Sequence, residues 1–282
     1  MSEAPSAAAA GELRAHIGGV SAGLTSDLPA FLDYAGGHLA TLPPAPDAAP
    51  RIHAHLRWHE GLPPPRDAAA FAVWDRLDRD LYRQGDRLAW FRIDDLPDLH
   101  LRIAVDGDQL HIEGDYYHHL GMSDGRDRLR RLVYRNRLPA LRRRRFTTLL
   151  YYLVYYPCFW WLEHHGGWHP IHGGAVQRPK GIVVMAGPSG VGKSTTVTGL
   201  STDADAALLS DTFVLHHGAD VRGVPEPLLL DDWSRQWMGA GAALLEPIAH
   251  RYSLGRGGYR FPPARLCAGG EAALLLFPRR AP

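Results

Sequence analysis

Eight consecutive residues, Gly187-Pro188-Ser189-Gly190-Val191-Gly192-Lys193-Ser194, satisfy G-x-x-x-x-G-K-[ST] at every fixed position. The residue types suit a phosphate chain. Glycines at Gly187, Gly190 and Gly192 let successive backbone N–H groups turn inward without a side-chain clash. A helix starting just after them adds its partial positive charge to the same spot. The amides of Ser189, Val191 and Thr195 belong to the same cradle. Lys193 is expected to meet the β and γ phosphates of ATP, and the Ser194 hydroxyl to ligate Mg²⁺. Only two of the 31 basic residues are lysine, Lys180 and Lys193. In a chain that otherwise uses arginine, the compact ammonium at 193 marks a place where a planar guanidinium will not substitute.

The flanking residues supply the elements that such a loop needs. Gly181 to Ala186, "GIVVMA", reads as a short buried strand, and "STTVTGL" after Lys193 as the first turns of a helix. Phosphoryl transfer also requires an acid that holds metal or accepts a proton from the attacking hydroxyl. "AALLSD" ends in Asp211, 18 residues after Lys193. A rival stands in "PLLLDD", where Asp231 and Asp232 follow another apolar run. On the residues alone both remain candidates for the base and metal ligand; the preference for Asp211 comes from the resemblance that follows.

Taken together, "HGGAV" from His172, a turn through Lys180 and Gly181, the apolar strand, "GPSGVGKST" and the acid at 211 resemble the catalytic domain of HPr kinase/phosphorylase. The likeness is closer still to HPr-kinase-related proteins found beside peptide natural-product genes. It covers roughly residues 168 to 282. It implies an α/β (α+β) fold related to phosphoenolpyruvate carboxykinase, with the phosphate loop on a mixed, twisted sheet. By position, His172 matches a family histidine near the phosphates, and Asp211 matches the first acid of an Asp-Asp pair that gives the base and the metal ligand. The second acid is absent, because position 212 is Thr, so the resemblance does not carry the family's phosphorolytic back-reaction. The family's arginine-bearing loop is matched loosely by Arg256 and Arg260 in "SLGRGGYRF".

The rest of the chain divides into an N-terminal region, 1–125, and a helical connector, 126–167, ahead of the catalytic domain at 168–282. Residues 1 to about 70 are rich in Ala, Pro and Gly and predict a mobile start followed by loops. From Leu88 apolar and polar residues alternate, with Asp106-Gly107 between two such runs. This predicts a small antiparallel sheet with a hairpin. Residues 126 to 145 hold ten arginines. They are read as the solvated face of a helix whose apolar side is Leu129, Leu132, Val133 and Leu138, in preference to a nucleic-acid patch. "FTTLLYYLVYYPCFWWL", 146 to 162, is shorter than the ~20 residues of a spanning helix and contains Pro157, so it reads as a buried helix. His164, His165, His169 and His172 are not read as a metal site, since Gly166, Gly167 and Pro170 break the helix that would align them.

With 31 basic and 30 acidic residues, no overall field draws the chain to nucleic acid or anionic membrane. Cys158 and Cys267 form no framework, and the first residues show no basic stretch leading into an apolar run. A cytoplasmic protein is expected. The expected activity is that of an ATP- and Mg²⁺-dependent kinase acting on a hydroxyl, that of a serine or threonine in a peptide or protein of natural-product biosynthesis. Two alternatives remain open: a kinase of a small-molecule hydroxyl, and a nucleotide-gated switch or ATPase that grips nucleic acid through the arginine run. Oligomeric state is left open.

Overall fold

The computed structural model describes residues 11–65, 69–120, 124–188, 190–253 and 256–278. The chain forms two compact units. The first comprises 1–14, 21–35 and 47–154; the second comprises 15–20, 36–46 and 155–282. The architecture is mixed α and β, with large mixed sheets and few helices.

The N-terminal strands are β1 (Leu13–Ile17), β2 (Val20–Ser26) and β3 (Ile52–Glu60), followed by β4 (Asp75–Asp78), β5 (Leu81–Gln84), β6 (Arg87–Trp90), β7 (Leu99–Asp106) and β8 (Gln109–His118). They form one eight-stranded sheet in the order β1-β2-β3-β8-β7-β6-β5-β4. The β7–β8 hairpin sits where alternation placed it. Asp106 pairs with Gln109, and Gly107 takes the positive φ of 60° that the tight connection requires. The expectation of loops before residue 70 is corrected. Two strands and helix α1 (Pro29–Leu39) precede β3, and β2, β3 and β8 run parallel to one another. Parallel partners lie far apart in sequence, so their pairing leaves little local trace beside a high content of Ala and Pro. The sheet is therefore mixed, and larger than the small antiparallel one predicted.

Two helices follow, α2 (Asp124–Val133) and α3 (Leu138–Leu150). Inside the first unit, one sheet face carries Ile52, Leu56, Leu101, Ile112 and Tyr116, all buried, and Phe146, Leu149 and Leu153 are buried with it. Phe146 meets Phe31 edge-on at 5.4 Å and Trp58 at 5.7 Å. Full burial of one such ring contributes roughly 2–3 kcal/mol. The expected apolar side of the arginine helix is corrected as well: Leu129, Leu132 and Val133 are exposed, at 63%, 68% and 67%. Periodicity shows that a face exists but not what covers it. Among the described residues three of the arginines are held within the unit: Arg130 by the carbonyl of Leu120, Arg131 by Asp127 and Glu60, and Arg142 by Glu60 at 2.6 Å.

In the second unit, α4 (Tyr156–Gly166) starts with Pro157 in its first turn, where the missing N–H costs nothing, and buries Cys158, Phe159, Trp161 and Leu162. A π-helical turn, 151–155, joins it to α3. Among the described residues no helix is long and apolar enough to cross a membrane. The strands are β9 (His169–Arg178), β10 (Gly181–Ala186), β11 (Ala207–Ser210), β12 (Phe213–His217), β13 (Asp220–Val224), β14 (Leu228–Leu230), β15 (Glu246–Ser253), β16 (Arg256–Arg260) and β17 (Gly269–Leu276). Helix α5 (Lys193–Leu200) follows β10, and α6 (Asp232–Met238) follows β14. Strand β9 pairs antiparallel with β10 on one side and with β11 and then β12 on the other. Since β10 also pairs with β17, β17 with β13 and β13 with β12, five strands close into a ring. β14, β16 and β15 make a separate three-stranded sheet.

Candidate phosphate-binding site

The strand, loop and helix around residue 190 occur at the predicted places. β10 buries Ile182, Val184 and Met185, and its last residue, Ala186, pairs with Gly173 of β9. The chain then passes through Gly187, Gly190 and Gly192, whose φ values of 153°, 79° and 89° belong to the region that favours glycine. Gly192 caps α5, and its carbonyl accepts the first helical hydrogen bond, from Thr196 N at 2.9 Å. Ser189 lies outside the described residues, while Val191 and Thr195 are half-buried.

Lys193 is 6% exposed although it carries a charge. Its Nζ donates to the carbonyls of Gly187 at 2.7 Å and Pro188 at 2.9 Å. The ammonium is thus folded across the loop, where the N–H groups and the start of α5 already favour an anion.

Asp211 occupies a bend between β11 and β12. These two strands continue one line of pairing along β9, with Ser210 opposite Ala175 and Phe213 opposite His172. The bend is tied by a buried hydroxyl. Ser210 Oγ donates to Val224 O at 2.8 Å and accepts from the N–H groups of Thr212 and Phe213, both at 3.3 Å. Thr212 N–H is thereby engaged, and its carbonyl accepts from Gly173 N at 2.9 Å. The side chain of Asp211 is buried, 7% exposed, and Thr212 Oγ1 donates to its Oδ1 at 3.2 Å. Burial pushes its carboxyl up to about 6, only partly offset by the Thr212 hydrogen bond.

A pair of glycines brings acid and loop together. β9 lies between β10 and β11, and Gly173 and Gly174 occupy the crossing point. A Cβ on Gly173 would stand 2.5 Å from Met185 O, and one on Gly174 would meet Val197 of α5 at 2.9 Å and Ser210 O at 3.1 Å. Without side chains there, α5 settles on the sheet, and Ser194 Oγ reaches the Asp211 carbonyl at 3.2 Å. Sequence reasoning named His172 but gave no role to Gly173, Gly174 or Thr212. The available signal was two adjacent glycines inside an otherwise apolar strand, which marks a close backbone approach.

His172 is exposed and stands edge-on to Phe213 at 5.6 Å. Although the residue is largely exposed, partial burial of its ring and then the nearby Lys193 charge lower its imidazole below the usual histidine range, which keeps it neutral near pH 7. The rival acid has a structural task. Asp231 is the N-cap of α6 and accepts from Ser234 N at 2.8 Å. Arg260 pairs with Glu246 at 2.9 Å, across strands β15 and β16, and the side chain of Arg256 lies outside the described residues.

For Mg²⁺, the donor set near the loop is one hydroxyl and one carboxylate. That fits the ion, which takes one or two protein oxygens and fills its octahedron with phosphate and water. Among the described residues there is no cluster of three or more His, Cys, Asp or Glu that could hold a metal by protein ligands alone. No protein-family model matches the chain, and no curated protein is significantly similar to it.

Proposed function

We propose that the second unit is a P-loop kinase of the HPr kinase/phosphorylase type, which transfers the γ-phosphoryl group of ATP to a hydroxyl. The observation that carries this reading is the buried Asp211, brought by the Ser210 bend and the Gly173-Gly174 crossing to the first turn of the helix that Lys193 opens. A phosphate loop alone would serve a switch equally well. A buried acid with a raised carboxyl beside the loop is a base suited to deprotonating an alcohol, since a general base works best with its own titration near the operating pH.

In the proposed reaction the loop amides, the α5 N-terminus and Lys193 hold and neutralise the phosphate chain. The acceptor hydroxyl oxygen forms a bond to the γ phosphorus as the bond to the bridging β–γ oxygen breaks, leaving ADP. The hydroxyl proton passes to Asp211, whose carboxylate is oriented by Thr212. Mg²⁺, held by Ser194 and the phosphate oxygens, would supply charge neutralisation there and leave Asp211 to act as the base. The neutral His172 beside Lys193 can donate or accept a hydrogen bond without adding charge. The transition state is loose, so positioning and electrostatics supply most of the acceleration.

The acceptor is proposed to be a serine or threonine hydroxyl of a peptide or protein, with a small-molecule alcohol as the alternative within the same chemistry. The deciding experiment incubates the full chain with Mg·ATP and a library of serine- and threonine-containing peptides and small alcohols, and follows products by mass spectrometry. A mass gain of one phosphoryl group, lost in Lys193→Ala and Asp211→Asn, supports the kinase. ATP hydrolysis without any acceptor product, undiminished in Asp211→Asn, would replace it with an ATPase.

A further inference from the structure

The first unit contains a cavity on one face of its sheet. One face of its sheet is the buried apolar face described above. The other presents a polar and aromatic stripe fixed by register. Arg57 of β3 lies opposite Asp115 of β8, Asp115 opposite His100 of β7, Glu113 opposite Arg102, and Arg102 opposite Ala89 of β6. On this face a cavity of about 570 Å³ opens between the strands and the residues Pro64, Pro65, Phe71 and Trp74. That is roughly the size of pockets that take small organic ligands, about 300–1,000 Å³.

The walls and floor differ in chemistry. Phe71 stands edge-on to Trp74 at 5.3 Å and to Phe91 at 5.2 Å, and Phe91 meets His100 edge-on at 5.0 Å. On the far side Tyr117 packs against His100 at 5.1 Å and stacks on His59 at 4.7 Å. The small side chains of Ala89 and Ala104 leave the floor between these rings open. Such walls recognise a planar ring by stacking and edge contacts.

The charges on the floor are unevenly satisfied. Asp115, 8% exposed, is held by Arg57 at 2.7 and 3.0 Å and by His59 at 2.9 Å, and Glu113 takes a further bond from Arg57 at 3.1 Å. Arg102 lies 3.7 Å from Asp115 and 3.9 Å from Glu113, too far for hydrogen bonds, so among the described residues its guanidinium donors remain available to the cavity. Arg87 lies diagonal to Arg102 on the same face, since Arg87 pairs with Ala104 and Ala89 with Arg102. The two forks therefore offer an anion clamp beside the ring pocket. The neighbouring carboxylates of Glu113 and Asp115 disfavour a dianion there. Burial lowers the His100 imidazole, so it adds no further positive charge at neutral pH.

From this arrangement we infer that the sheet face of the first unit binds a ligand carrying an aromatic ring and a single carboxylate, with the ring between Trp74, Phe91 and Tyr117 and the carboxylate on Arg87 and Arg102. The chemistry is shared by an aromatic residue at a peptide's free C-terminus and by a free aromatic acid.

The test is calorimetric titration of the full chain, without nucleotide, with N-acetyltyrosine, N-acetyltyrosine amide, N-acetylalanine and a heptapeptide ending in tyrosine. Because no nucleotide is present, its outcome is separate from the reading of the phosphate loop. Saturable binding of N-acetyltyrosine is expected, with the amide and the alanine compound weaker by roughly tenfold or more, as loss of a charge-assisted hydrogen bond or of a stacked ring implies. Trp74→Ala and Arg102→Gln should each weaken binding by a similar factor. Because the Arg102 side chain is 60% exposed, its variant should fold as the parent does, and Arg87→Gln provides a second check of the clamp. Tighter binding of the heptapeptide than of N-acetyltyrosine would assign the site to a peptide, and equal affinity to a free acid. No saturable binding of either compound, equal affinity for the amide, or unchanged affinity in the arginine variants would overturn the assignment.

Discussion

The Ser194 hydroxyl donates to the backbone carbonyl of Asp211 at 3.2 Å, which ties the first turn of α5 to the bend between β11 and β12. The residue that follows the loop lysine and the nearest buried acid thus share one hydrogen bond, although 17 positions separate them. What a triphosphate would bring to the loop, and what an acceptor hydroxyl would need beside it, are joined at this contact.

Asp211→Asn is expected to stabilise the fold near neutral pH while losing phosphoryl transfer. The carboxyl titrates at about 6 in the folded chain against an ordinary 3.8, so the folded state holds the proton more tightly than the unfolded state. The ionised, buried form therefore costs stability, by up to about 3 kcal/mol, at any pH above 6. This cost fades as pH falls from 6 to 3.8 and is gone below that. Urea unfolding of parent and variant at pH 7.5 and pH 4 checks the sign: a gain of about 1–3 kcal/mol at the higher pH should shrink at the lower. Equal stability of the two at both values would contradict the burial argument.

Gly173→Ala should cost about 1–3 kcal/mol, since the added methyl meets a backbone oxygen that only strand displacement can move. Thermal unfolding measures it. An unchanged melting temperature would mean that β9 and β10 are not so close. Phosphoryl transfer should fall along with stability, because displacement of β9 separates Asp211 from α5.

Asp231→Ala separates Asp211 from the first acid of its rival pair, Asp231 and Asp232. Loss of an N-cap costs about 0.5–2 kcal/mol, while phosphoryl transfer by the folded variant should match the parent. A transfer rate reduced as far as in Asp211→Asn would move the base to Asp231.

Much of this site could be read in the sequence, because its logic is local. The apolar strand, the glycines with positive φ, the lysine and the helix follow one another directly, and they fold where their order places them. Asp211 was singled out by its match to the family's acid, while the bend that presents it left no local trace. Ser210 fixes that bend with three hydrogen bonds, one of them to Val224 on a strand far along the chain. The β7–β8 hairpin was legible for the same local reason. The parallel β2, β3 and β8 were hidden because their partners are remote, and Leu129, Leu132 and Val133, read as the apolar side of the arginine helix, are exposed because amphipathic spacing does not reveal a covering partner.

Arg57→Ala probes the other sheet. Burial alone would raise the Asp115 carboxyl, but hydrogen bonds from Arg57 and His59 outweigh it and hold the group down at about 2. The stability this confers is present above the ordinary value of 3.8 and is lost as pH falls through about 2. Removing the guanidinium leaves a buried carboxylate with weaker partners, so a loss of about 1–3 kcal/mol at pH 7 is expected in urea unfolding. The deficit should narrow toward pH 3. A deficit that stays constant with pH would point to lost packing of the arginine stem in place of lost charge pairing.

The central claim is that the loop capped by Lys193 grips a triphosphate next to a catalytic carboxylate. Calorimetric titration of Mg·ATP into the parent, Lys193→Ala and Asp211→Asn tests it most directly. The account predicts saturable binding to the parent, retained binding to Asp211→Asn, and binding weaker by roughly tenfold or more in Lys193→Ala, as loss of a charge-assisted contact implies. Parent-like affinity in Lys193→Ala, or no measurable binding to the parent, would contradict it.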